Sequence, residues 1–410
     1  MSKVLIVAPY IFHEDIPEFR KNRSGLGRII SQICKEVAKE NETYLITNTI
    51  VREQNIDGYK ICSHTRKDIF KSVNPLNFLS YFKSFLIKNK FKDRLRYVYY
   101  YVTFNYIKKS IKIIKPDLVI LQGIFYINNL CIDYFLKNKI PFTICIHGQI
   151  NNSNTINANK YLKNSEGVYL KRLNDNNIKF CVIGSGIKND ICKRYDLSPG
   201  NIAVINNGVA FNKTAIEQID LRKKYGLNGS TKIILYVSSL NPNKNQLLLL
   251  EIMKRRKNKD LVAFIIGDGD VAYKQMINQK ITEYGLCGKV IMVGNLDRND
   301  LIHFYMNADF NVLLSFYEGF GLSIAEGYCF GIPALTFADL GATDDLFNEK
   351  CMIKIEQREL NRCLDAFDIF ISKQWNKQYI IAFSKRFSVE NMGIKYREFI
   401  SSFVSGEKVK

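Results

Sequence analysis

Apolar residues along this chain come in short unbroken runs, not in strict alternation with polar ones. "KVLIVAPY", "TYLIT", "PDLVILQG", "FTICIHG", "IKFCVIGS" and "IAVINNGV" mark the first half, and "KIILYVSSL", "LVAFIIGDG", "KVIMVGN", "FNVLLSF" and "PALTF" the second. Short continuous apolar runs bounded by glycine or polar residues predict parallel strands buried on both faces. Between them lie stretches with helical periodicity, such as "GLGRIISQICKEVAKE" and "NQLLLLEIMKRRKN". Strand and helix alternate, so the predicted class is α/β: two Rossmann-like, doubly wound parallel-sheet domains facing a cleft. The polar stretch "NNGVAFNKT" marks the joint. It predicts a first domain over 1–208 and a second over 209–387, with 388–410 set to pack back on the first.

Ligands of such sheets sit beyond the carboxyl ends of the strands, where helix starts present free backbone N–H groups. Strand-end residues therefore carry the functional signal. In "SFYEGFGLSIAEG", Glu318 and Glu326 stand eight residues apart. On one continuous helix they would diverge by roughly 80°, so the better reading puts Glu318 in a glycine loop and Glu326 about two turns into a helix closed by Gly331 and Pro333. Gly319 and Gly321 then expose amides to an anion, Glu326 suits a vicinal diol such as a ribose, and Glu318 suits sugar hydroxyls. Two carboxylates for hydroxyls and amides for a diphosphate describe a nucleotide-sugar site.

Four further strand ends are candidates. "SGLGR" opens a helix with Gly25, Gly27 and Arg28, and "CIHG" sets His147 at the end of a buried strand. "VSSLNPNKNQ" brings Ser239 and Lys244 to a helix start, where a lysine suits a phosphate. "IIGDGD" contributes Gly267; its Asp268 and Asp270 also match a metal-binding DxD pattern, but the glycines fit a tight strand-to-helix turn better. His13, His64, His147 and His303 form no ligand-spaced cluster with the ten cysteines, so no metal site is expected.

Composition narrows the class. A chain of 410 residues with 47% hydrophobic and 24% charged residues is an ordinary globular one. The first apolar run is too short for a signal peptide and no apolar stretch is long enough to span a bilayer. The scattered cysteines then read as buried free thiols of a cytosolic protein. The net charge of +20 is uneven: residues 1–208 hold 32 basic and 16 acidic side chains, residues 209–410 hold 27 and 23. Arg66 to Lys115 alone carries 13 basic, 2 acidic and 12 aromatic residues. Three readings fit: a solvated basic face over an aromatic core, a nucleic-acid surface, or contact with an anionic membrane. The membrane reading is favoured, and no nucleic-acid partner is expected.

With these residues in view, the chain resembles the retaining GT-B-fold glycosyltransferases of the large group called family four. The two-glutamate motif is matched by Glu318 and Glu326, and "SGLGR", "NNGV", "IGDG", "YEGFGLSIAEGYCFGIPAL" and "FSVENMGIKYREF" follow in the family's order. The resemblance implies a donor nucleotide sugar held by the second domain and an acceptor by the first. It assigns the ribose to Glu326 and the donor sugar to Glu318, with the amides of Gly319, Phe320, Gly321 and Leu322 near sugar and diphosphate. Lys244 would neutralise the leaving diphosphate, Gly25, Gly27 and Arg28 would approach it from the other domain, and His147 would sit at the reaction centre. Ser239 and Gly267 would line the donor site.

No cofactor or metal is implied. The activity implied is metal-independent transfer, with retention, of a hexose or N-acetylhexosamine from a UDP- or GDP-sugar. The acceptor would be lipid-linked or a polysaccharide in cell-surface glycan synthesis, met at the inner face of the membrane by a cytoplasmic, peripheral protein. The chain departs from the family at Ser238-Ser239, where Gly-Arg is usual, at Asn206 and Ala210 beside the joint, and in "FADLGATDDL", which lacks the usual paired glycines and glutamate. Arg28 is the candidate replacement for the cation missing at Ser239. Two other readings stay open: a nucleotide-sugar epimerase of the same architecture, and a polyanion-binding protein on a degenerate transferase scaffold.

Overall fold

The structure, a computed structural model, describes residues 1–20, 25–62, 65, 91–123, 126–148, 160–210 and 219–404. Ser24, His64, residues 66–90 of the basic region, the polar run after Gly148, residues 211–218 of the joint and the last six residues lie outside that set.

The first half builds an eight-stranded sheet. In chain order it runs β1 (Lys3–Ala8), α1 (Gly25–Ala38), β2 (Glu42–Thr47), β3 (Gln54–Ile56), β4 (Tyr59–Ile61), α2 (Phe91–Ile114), β5 (Leu118–Gln122), α3 (Tyr126–Asn138), β6 (Phe142–Ile146), α4 (Lys160–Asp175), β7 (Phe180–Val182), α5 (Ser185–Tyr195) and β8 (Ile202–Val204). The strand order is β3-β4-β2-β1-β5-β6-β7-β8. Every pairing is parallel except β3 with β4. That antiparallel edge is an addition to the predicted elements. It turns at Asp57-Gly58, both with positive φ (49° and 84°), as a two-residue hairpin turn requires.

The second half builds a six-stranded sheet of order β11-β10-β9-β12-β13-β14, parallel throughout. Its elements are α6 (Leu221–Lys224), β9 (Lys232–Val237), α7 (Gln246–Arg255), β10 (Leu261–Ile266), α8 (Val271–Glu283), β11 (Val290–Gly294), α9 (Arg298–Asn307), β12 (Phe310–Leu313), α10 (Leu322–Tyr328), β13 (Ala334–Phe337) and β14 (Met352–Ile355). β14 is a second unpredicted strand, its apolar run broken by Lys354. α11 (Leu360–Ser372), α12 (Lys377–Ser384) and α13 (Val389–Val404) follow. The central strands are covered on both faces. Ile233, Leu235, Val262 and Phe264 point into one apolar cluster, while their neighbours Ile234, Tyr236, Ala263 and Ile265 point into the other.

The chain passes between the two sheets twice, and the two passages run side by side. Val209 N–H donates to Phe387 C=O at 2.7 Å, and Val209 bridges Ser388. Beyond it α13 packs on α1, where Arg397 pairs with Glu36 at 3.1 Å. The carboxyl ends of β6, β7, β9, β10 and β12 and the start of α1 thereby open onto one cleft.

Candidate functional site

The cleft encloses about 570 Å³ and is walled by both halves of the molecule, within the usual range for a small-molecule site. Two helix starts meet across it. A Cβ added at Gly25, the first residue of α1, would lie 2.9 Å from Leu322 Cδ1, the first residue of α10. Backbone N–H groups from opposite halves therefore converge, and both helix dipoles turn their positive ends to the same space. Gly321 begins α10 at φ 86°, a conformation that costs a side-chain-bearing residue about 1 kcal/mol or more. The loop before it runs against the first half: a Cβ at Gly319 would sit 2.6 Å from His147 C=O.

Lys244 and Glu318 lie 74 residues apart in the chain, yet their side chains form an ion pair at 2.7 Å. Local stitching explains it, because β9 and β12 are neighbours and their trailing loops bond to each other. Phe316 N–H donates to Asn243 C=O at 2.8 Å, and Asn243 Nδ2 donates to Tyr317 C=O at 2.9 Å. Ser315 Oγ donates to the same Glu318 oxygen at 2.5 Å. Glu318 is 8% exposed, a depth at which a carboxylate needs such partners.

Glu326 is the fifth residue of α10, just past its first turn rather than two turns in. It accepts from Tyr305 Oη at 2.9 Å. Burial pushes its carboxyl above the usual range, against the pull of Arg298, the Tyr305 bond and Arg28. Burial, with the same carboxylate beside it, holds the Tyr305 phenol far into its neutral form. Glu318 and Glu326 thus share one cleft in different settings, one ion-paired and one half-buried beside arginines.

Each residue singled out in the sequence has a definite place. Gly25, Arg28, His147, Ser239, Lys244, Gly267, Glu318, Gly319, Phe320, Gly321, Leu322 and Glu326 all line the cleft. Gly27 is buried in the first turn of α1, its C=O accepting from Phe12 N–H at 3.1 Å. Arg28 also lies 5.2 Å over the Phe12 ring. Ser239 Oγ accepts from Asn241 at 2.9 Å and Gly267 N–H donates to Gly294 C=O at 2.8 Å, both structural contacts at the rim.

His147 faces the cleft differently from an open base. Its Nε2 is 2.6 Å from Gln122 Oε1, and its Nδ1 is shielded from solvent with no geometric hydrogen bond among the described residues. The ring is turned inward. Asp268 and Asp270 do not converge as a metal pair: Asp268 bonds Lys274 and Gly269 N–H, while Asp270 caps α8 through Tyr273 N–H at 2.7 Å. Among the described residues no three His, Cys, Asp or Glu side chains group as metal ligands.

Two contributors carry no motif in the sequence. Arg298 opens α9 and lines the cleft beside Glu326. Asp345 reaches from the 341–346 turn into the other half, where it accepts from Ser185 N–H at 2.7 Å, Ser185 Oγ at 2.6 Å and Asn206 Nδ2 at 2.9 Å. The start of α5 lacks a cap of its own, and Asp345 supplies one from across the interface.

Residues 217–387 match the sequence profile of the family described as glycosyl transferases group 1. Over 191 residues the chain is 30% identical to the UDP-Gal:alpha-D-GlcNAc-diphosphoundecaprenol alpha-1,3-galactosyltransferase of Escherichia coli, covering 45% of this chain and 47% of that one. The chain spans about half the length of the curated relatives it matches. A glycosyltransferase from Rickettsia africae superposes over 99% of both chains with a TM-score of 0.71 at 17% identity. Anabaena HepE, solved with UDP and glucose, superposes over 98% of this chain and 100% of its own with a TM-score of 0.68 at 15% identity. These likenesses establish the GT-B fold: two Rossmann-like domains with a cleft between them.

Proposed function

We propose that this protein is a retaining, metal-independent glycosyltransferase that takes a hexose or N-acetylhexosamine from a nucleotide sugar. The observation that carries the reading is the meeting, on one cleft, of two helix starts from opposite domains with Glu318, Glu326 and Lys244. A diphosphate suits the convergent amides, a ribose diol suits Glu326, and sugar hydroxyls suit Glu318. The matched family profile over 217–387 supports the same chemistry.

In this reading the bond from the anomeric carbon to the diphosphate breaks while Lys244 and the amides at Gly25 and Gly321 take up the developing charge. An acceptor hydroxyl attacks the same face, its proton passes to the departing phosphate oxygen, and configuration is retained. His147, with both ring nitrogens engaged or shielded, serves as a wall and not as the proton acceptor.

The E. coli relative takes UDP-Gal and a diphosphoundecaprenol-linked acceptor, which favours a UDP-sugar donor and a lipid-linked acceptor here. The surface of the first domain agrees with a membrane-borne substrate. Exposed Lys109, Lys112 and Lys115 surround Ile113, which is 71% exposed, at the end of α2. That is a basic rim around an apolar tip, suited to peripheral contact with anionic lipid. Among the described residues no helix is long and apolar enough to cross a bilayer. The test is transfer of radiolabelled sugar from UDP-Gal, UDP-Glc, UDP-GlcNAc and their GDP counterparts to a polyprenyl-diphosphate sugar, with EDTA present. Label should reach the lipid fraction with its anomeric configuration kept; inversion, or interconversion of donors without transfer, would sink the proposal.

A further inference from the structure

The cleft balances its own charges before any ligand enters. Its walls carry three cations, Arg28, Lys244 and Arg298, and three carboxylates, Asp268, Glu318 and Glu326. Lys244 is committed to Glu318 at 2.7 Å, and Asp268 is turned to Lys274 at the rim. Where the cleft wall passes Ser239 it presents only a short neutral side chain. A nucleoside diphosphate brings about two to three negative charges into this space; Arg28 faces it from the first half, and on the wall of the second half one shared lysine and the backbone amides offset it only in part.

We infer that Arg298 is a second cation for the donor diphosphate, placed on the ribose side of the cleft, opposite Lys244 on the sugar side. The inference rests on the nucleotide-sugar reading and adds to it a residue that no motif marks.

The geometry of α9 directs this arginine inward. Arg298, Leu301 and Tyr305 are three and seven positions along one helix, so their side chains fall within about 60° of one line. Leu301 lines the cleft and Tyr305 donates to Glu326. The face that carries Arg298 is therefore the face turned to the ribose carboxylate. Arg298 is half-buried while Asp297, Asn299 and Asp300 around it are exposed. Its charge is felt by Glu326, where it opposes the effect of burial. In a nucleotide the ribose and the nearer phosphate are joined through one methylene and one oxygen. A guanidinium beside the ribose-binding carboxylate thus has that phosphate in reach, and its planar donors suit two phosphate oxygens.

Calorimetric titration of UDP and of uridine into wild type, Arg298→Gln and the double variant Ser239→Arg/Arg298→Gln tests this. GDP with guanosine, or ADP with adenosine, replaces the pair if wild type selects that base. Arg298→Gln should weaken UDP about 10–100-fold and leave uridine within about two-fold. The arginine at 239 should recover at least about five-fold of the UDP loss, since it restores a cation to the same cleft. Unchanged UDP affinity overturns the inference. So does an equal loss for uridine, which would make Arg298 a base or ribose contact, or a double variant as weak as the single one. Failure of wild type to bind UDP, GDP or ADP is a separate result, and it overturns the nucleotide-sugar reading itself.

Discussion

Glu318 and Glu326 look equivalent in the sequence, and their surroundings make them different. Glu326 has a phenol and two arginine charges nearby and, among the described residues, no recorded ion pair of its own, which suits a diol. Glu326→Ala should weaken nucleotide binding about 10–100-fold, the worth of one hydrogen bond to a charged acceptor. Glu318→Ala should leave nucleotide affinity equal or tighter, because it frees Lys244, and should lower kcat instead. Calorimetry and initial rates on the two variants separate the roles; equal nucleotide affinity in wild type and Glu326→Ala would remove the ribose assignment.

The raised carboxyl of Glu326 also predicts a pH dependence. The diol needs an ionised acceptor, so nucleotide affinity should fall as pH drops through a point above the ordinary carboxylate range. Tyr305 donates to the ionised form and holds that point down, so Tyr305→Phe should move the fall to higher pH. For stability the sign is opposite. A carboxyl raised on folding favours the folded state most below the ordinary range, and that contribution is lost as pH rises through the raised value. At this scale the motif residues were legible because glycine and glutamate at a strand end have few other uses. The Lys244–Glu318 pair and Arg298 were not, because they depend on which loops and helix faces meet.

At the scale of elements, the decisive feature is that α1 and α10 start against each other across the cleft. Their alignment depends on contacts elsewhere along the interface, and Asp345 is the most concentrated of these. Three donors from the first half converge on its carboxylate. Asp345→Ala should cost about 1–3 kcal/mol of unfolding free energy, the range for a lost helix cap and charged hydrogen bonds. It should also raise the radius of gyration in solution scattering by loosening the two halves. An unchanged radius together with unchanged stability would show that the bridge holds nothing. Strands buried on both faces were legible as apolar runs, and helices as amphipathic ones. The β3–β4 hairpin and β14 were missed because Asn55, Lys60 and Lys354 interrupt their apolar runs, which leaves no continuous stretch to read. The Asp57-Gly58 turn was the available signal.

For the whole molecule, alternation of strand and helix implied two doubly wound domains, and the fold agrees. What alternation cannot express is how the domains face each other, since that follows from contacts between residues far apart in the chain. The charge asymmetry belongs to this scale as well. Replacing Lys109, Lys112 and Lys115 with glutamine should weaken affinity for anionic vesicles about 100-fold at low salt, from about 1 kcal/mol per basic residue, read by sedimentation. Undiminished sedimentation would leave the basic rim a solvated helix end, where lysines also complement the helix dipole.

If the cleft is a nucleotide-sugar donor site, it should bind a nucleoside diphosphate without a metal. Calorimetric titration of the wild-type protein with UDP, GDP and ADP, each with magnesium and with EDTA, tests it most directly. One of the three should bind selectively, with UDP favoured, and with the same affinity in EDTA. Binding of none, or binding that vanishes without magnesium, would contradict it.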